Sequence, residues 1–191
     1  MSKVQLGPQR FSYYPMPVFL VGANVDDKPN FMTLCYGGAV NWYPPMVIIA
    51  MQDFKYTNKG IRQNKTFSVN LPTVDMVKET DYCGLNTGAK VNKVDACRFK
   101  VFYGKLQTAP MIEQCAVNLE CKVMHMLHLG VQDLIVGKIE ETHFSDNCLT
   151  DGKPDAARIK PLVYYADDHP RYRTLGDPIA RAFSVGKELG K

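Results

Sequence analysis

Thr57, Asn58 and Lys59 stand together in the stretch FKYTNKGIRQNK, directly after the apolar run MVIIAM of residues 46–51. A hydroxyl, an amide and an amine at the start of a short helix are what an anion needs, because the first turn has free backbone N–H groups and the positive end of the dipole. Many threonines cap helices with no ligand present, so by themselves these three residues leave both readings open.

Other chemistries find less support. No GxGxxG follows a strand into a helix, and GxxxxGK[ST] and GxSxG are missing, which argues against a dinucleotide fold, a phosphate loop and an α/β-hydrolase. His125 and His128 lie three apart in VMHMLHL, so on a strand they point to opposite faces and cannot share a metal ion unless a bulge intervenes. Cys83 in TDYCGLNTG closes an expected helix, where free carbonyls disfavour a thiolate; it reads as a packed thiol. The acidic pairs Asp26–Asp27, Glu140–Glu141 and Asp167–Asp168 look like turn or strand-end residues rather than acid/base dyads.

The elements that must position these groups are mostly strands. PVFLVGANV (17–25) and NFMTLCYGGAV (30–40) form a hairpin around DDKPN, with Gly37 and Gly38 marking a bulge or bend. MVIIAM reads as a strand buried on both faces, with Pro44 and Pro45 placed before it. A short helix over 57–65 leads into TFSVNLP (66–72), after which Thr73 caps VDMVKETDYC and Gly84 stops that helix. Residues 85–98 are irregular, and β-segments follow at 98–109, 116–129 and 131–144. In the middle one Asn118, Glu120 and Lys122 alternate with apolar residues and mark a wet face. Beyond Asn147 the chain reads as connection and tail. Seven strand-like segments with two inserted helices predict a mostly β domain, an antiparallel barrel first and a two-sheet sandwich second.

With 191 residues and 46% hydrophobic composition, one well-buried core is expected in a single domain over 1–191. A net charge of +4 with dispersed Lys and Arg fits a small anionic ligand and gives no stripe for nucleic acid. No apolar run suits a signal peptide or a bilayer, so a soluble, cytoplasmic protein without membrane contact is expected, its six scattered cysteines reduced and mostly buried.

The succession PVFLVGANV, NFMTL, NWYPPMVIIAM, YTNKGI, NKTFSVNLP, MVKETDYCG, FYGKLQTAPMIEQCAVNLEC and YRTLGDPIARAFSVGK, over about residues 15–187, resembles the flavin reductase-like proteins and their flavoredoxin-type group. The resemblance implies an antiparallel Greek-key FMN-binding split barrel, with residues 150–191 as an extension packed on it, and a homodimer with flavin at the interface. Carried over, Phe31, Met32, Thr33 and Leu34 line the flavin and Ala50, Met51 and Gln52 flank the ribityl chain. Tyr56, Thr57, Asn58 and Lys59 hold the phosphate, Cys83 and Gly84 approach the ring through backbone, and Lys90 is a further phosphate candidate. The implied reaction is hydride transfer from NADH or NADPH to bound FMN and on to an acceptor; the alternative is an FMN electron carrier reduced by a protein partner. Gln132 stands on the expected nicotinamide side where many relatives place histidine, and unlike histidine it cannot become cationic near neutral pH.

Overall fold

Asp26 and Asp27 both adopt positive φ, 49° and 64°, and that local chemistry closes the first hairpin in two residues. The strands it joins are β1 (Phe19–Val25) and β2 (Lys28–Leu34), so Pro29, expected in the turn, lies in an edge strand, where its missing N–H costs no ladder bond. This computed structural model describes residues 2–9, 15–166 and 169–190; the Asp167–Asp168 pair lies outside them.

The chain continues through β3 (Gly37–Asn41), β4 (Met46–Gln52), helix α1 (Tyr56–Asn64) and β5 (Thr66–Leu71). After helix α2 (Val77–Leu85), the long hairpin β6 (Val117–Leu129) and β7 (Gln132–Phe144) completes an antiparallel sheet in the order β2-β1-β5-β6-β7-β4-β3. β2 and β3 are its opposite edges, yet only Cys35 and Tyr36 separate them in sequence. The sheet must therefore roll until its edges meet, and Ala50 N, donating to Tyr36 O at 2.9 Å, carries the β3–β4 ladder up to that junction. The result is a split barrel around Val21, Ile49, Met51, Phe67, Val69 and Ile135, with Ile61 of α1 packed into the same core. A second apolar layer, including Phe31, Cys83, Phe99 and Ile112, ties α2 to the outside of the barrel.

Several local expectations change. β4 is buried on one face only: Val47, Ile49 and Met51 point inward, while the alternate residues are half-exposed. Thr73 precedes a short 3-10 turn, Val74–Met76, without a side-chain cap, and Gly84 sits inside the last turn of α2. The segment 98–109 is no long strand; only Val101–Phe102 pairs, with Met111–Ile112. It belongs to a cover over the start of β6, which buries Asn118 and Glu120 of the expected wet face and leaves Lys122 exposed. Asn118 Nδ2 donates to Asn70 Oδ1 at 2.8 Å and to Ile112 O at 2.9 Å. Glu120, fully buried, accepts from Leu106 N at 2.7 Å and is paired with His143 Nε2 at 2.7 Å.

The tail also has structure that its weak periodicity hides: Val163–Tyr165 pairs with Met16–Pro17 on one side and Arg171–Arg173 on the other. All six cysteines are free, with Cys83, Cys115, Cys121 and Cys148 buried. Among the described residues no helix is long and apolar enough to cross a membrane.

Candidate functional site

A cleft of about 210 Å³ opens where the ends of β2 and β4 meet the start of α1 and the end of α2. From β2 it takes Met32, Thr33 and Leu34, and from β4 Ala50, Met51 and Gln52. The helices add Tyr56 and Thr57 of α1 and Cys83 and Gly84 of α2; Gln132, first residue of β7, closes one side. Strand pairing places these groups, since Gln132 sits opposite Gln52 and Leu134 opposite Ala50. Thr33 Oγ1 donates to Thr80 O, fixing the end of β2 against α2.

The cleft favours negative charge. Helix α1 has no acidic residue in its first turn, and its first backbone bond runs from Asn58 N to Lys55 O, so the amides of Tyr56 and Thr57 lie ahead of the ladder. Thr57, nearly fully buried, accepts from Asn30 Nδ2 at 2.7 Å, which leaves its own hydroxyl proton to donate. Lys55 and Lys93 also line the cleft, and none of its lining residues is acidic.

Lys93 is the least expected of these groups. It is 4% exposed, and its Nζ donates to Phe31 O at 2.9 Å and Cys83 O at 2.8 Å, which leaves one ammonium proton unused by these two carbonyls. Burial pulls its pKa below the ordinary lysine value, opposed by the neighbouring Cys83 and Cys97 thiols. It lies on a one-turn helix, Lys93–Ala96, whose N-cap Asn92 accepts from Val94 N and Asp95 N. The sequence NKVD carries that capping pattern, so the helix was legible inside a segment read as irregular.

Four expected site residues lie elsewhere. Phe31 points into the outer apolar layer, edge-on to Phe99 with ring centroids 5.7 Å apart, and reaches the site only through the carbonyl that accepts from Lys93. Lys59 turns away to pair with Asp26 at 2.6 Å. Asn58 is fully buried and donates to Asp133 Oδ2 at 2.7 Å. Lys90 lines an adjoining cavity, which shares Tyr56, Gly88 and Lys93 with the cleft. Cys83 is at the wall as expected, and burial pushes its thiol up to about 12, so it stays protonated. Of the cleft groups missed by sequence reasoning, Cys35 and Tyr36 follow NFMTL directly, while Asn86, Thr87 and Gly88 belong to the loop after α2. His128, one of the two candidate metal histidines, instead places Nδ1 3.1 Å from Asp133 Oδ1.

Residues 11–174 match the family model described as a flavin reductase like domain. The chain belongs to the flavin reductase like family. Within it, the chain is 42% identical to flavoredoxin from Methanosarcina acetivorans, whose crystal structure superposes with a TM-score of 0.94 over 99% of this chain and 100% of that one. The flavoredoxin of Desulfovibrio vulgaris (Miyazaki F) is 27% identical, with a TM-score of 0.89 over 97% of this chain and 100% of that one. An FMN-binding protein from Thermus thermophilus, 21% identical, shares the fold, with a TM-score of 0.78 over 95% of this chain and 99% of that one. The short connection between the two edge strands brings the ends of β2 and β4 to one cleft.

Proposed function

We propose that the cleft binds FMN and that the protein is an FMN-dependent oxidoreductase, taking electrons from NADH or NADPH and passing them to an acceptor. One observation carries the FMN assignment: a helix N-terminus and two lysines converge on a cleft without a carboxylate, beside an apolar wall of strand ends. The amides of Tyr56 and Thr57, the Thr57 hydroxyl and Lys55 hold the phosphate. Met32, Leu34, Ala50 and Met51 form the apolar seat, and Lys93 supplies a cation at the wall. Gln132 Oε1 is buried with no hydrogen-bond partner, an open polar position that a bound ring system satisfies. Bound FMN supplies the hydride and electron chemistry, which leaves the protein to bind, orient and tune it.

A homodimer with the flavin at its interface fits the exposed Phe54 and Leu85, each adjacent in sequence to a cleft residue. The second reading, an FMN electron carrier reduced by a protein partner, is favoured by Gln132, which presents a neutral amide where a cation would assist a nicotinamide. Anaerobic mixing of FMN-loaded protein with NADH or NADPH separates the two. Bleaching within the mixing time supports the reductase; bleaching only with a reduced iron–sulfur protein supports the carrier.

The altered place of Lys59 changes what substitution should do. Thr57→Ala is expected to weaken FMN binding about tenfold through loss of a hydrogen bond to a charged group, whereas Lys59→Ala stays within about twofold. Flavin fluorescence titration checks both; a large loss for Lys59→Ala alone would return that residue to the phosphate seat.

A further inference from the structure

We propose that Asp133 is a positioning residue for the anion seat, a buried carboxylate that locks the first turn of α1 against the cleft and so sets the phosphate-dependent share of flavin affinity. This rests on the FMN reading above. Asp133 is fully buried on β7, next to Gln132 and opposite Met51 in register, so two cleft residues flank it through the sheet. Three donors from two other elements converge on it: Asn58 Nδ2 at 2.7 Å and Arg62 Nη2 at 2.5 Å from α1, and His128 Nδ1 at 3.1 Å from β6.

Arg62 and His128 are about half-exposed, at 46% and 54%, so the inner contact, with Asn58, is the one shielded from solvent. Asn58 depends on it. Among the described residues the only other acceptor for its side-chain amide is Gln52 O at 3.4 Å, and its Oδ1 is buried without a partner. Asn58 follows Thr57 directly, so whatever holds Asn58 fixes the rotation of the turn that presents the Tyr56 and Thr57 amides. A buried carboxylate accepting several hydrogen bonds is a rigid anchor, and removing it strands the Asn58 amide in the interior.

The test compares FMN with riboflavin, which lacks the phosphate, by fluorescence titration of wild type, Asp133→Ala, Asp133→Asn and Asn58→Ala. Asp133→Ala should weaken FMN about thirtyfold and riboflavin less than about threefold, the size expected from one charge-assisted contact acting on the phosphate alone. Asp133→Asn keeps an acceptor for Asn58 and should recover most of the loss, while Asn58→Ala should reproduce the FMN-selective loss even where Asp133→Ala fails to fold. Equal losses for both ligands, or no loss in Asn58→Ala, overturn the positioning role. Failure of wild type to bind FMN overturns the FMN reading itself, a distinct result, and this inference with it.

Discussion

Replacing Lys93 with methionine should make the bound flavin harder to reduce, shifting its midpoint potential negative by about 30–60 mV, equivalent to roughly one to two factors of ten for a two-electron couple. Reduction adds electron density to the ring, and Lys93 is the buried cation at the cleft wall. In an interior site one ammonium interacts strongly with such charge, because little water screens it. Methionine has a similar length and keeps the packing. Its effect on folding is expected to be small, since the loss of two hydrogen bonds to Phe31 O and Cys83 O is offset by no longer burying a charge. A spectroelectrochemical titration reads the shift. An unchanged potential with FMN still bound would remove Lys93 from the tuning of the flavin.

Glu120→Ala should lower folding stability by about 3 kcal/mol. The carboxylate is fully buried and joins three pieces: strand β6 that carries it, the covering loop through Leu106 N, and strand β7 through His143. Truncation leaves the Leu106 amide and the one-third-exposed His143 ring without their acceptor and opens a void. Glu120→Gln keeps an acceptor for Leu106 and should cost about half as much. Urea denaturation gives both values; a loss under about 1 kcal/mol for Glu120→Ala would show that the cover is held by its apolar contacts alone.

The contrast between these two residues shows what a sequence carries. Glu120 alternates with apolar neighbours just as a solvent-facing residue does, because alternation reports the face of a strand and not what later covers it. The covering segment arrives from 99–115, and its own propensity says little about where it lies. Lys93 was hidden for a related reason: its burial depends on carbonyls from β2 and α2. The strand-end residues were easier to read, since NFMTL and VIIAMQ each follow from a local β pattern and end at one seam.

Within α1 the misplacement of Lys59 has a simple geometric origin. Successive helical residues turn by about 100°, so a residue two positions after Thr57 lies about 200° around the axis, on the opposite side. Adjacency in sequence suggested one cluster, but the helix divides it. Thr57 faces the cleft, Asn58 turns to Asp133, and Lys59 reaches Asp26 on the β1–β2 turn. The cation at the helix start is instead Lys55, ahead of the first turn.

Asp133 also gives the pH dependence a sign. Burial would raise its pKa, but the hydrogen bonds from His128, Asn58 and Arg62 outweigh that and hold it below the ordinary carboxylate value. A carboxylate with a depressed folded-state pKa contributes stability above its unfolded value, about 3.9, and that contribution is lost as pH falls through the folded value. The anion seat should accordingly hold through mildly acidic pH and loosen only in the acid range below about 4.

The most direct test of the central claim is an FMN titration of the purified chain, followed by flavin fluorescence and absorbance. FMN should bind at about one per chain at micromolar protein, with riboflavin markedly weaker if, as proposed, the Tyr56–Thr57 seat at the cleft takes the phosphate. A chain that stays colourless and leaves the fluorescence of excess FMN unchanged would contradict the assignment of this cleft.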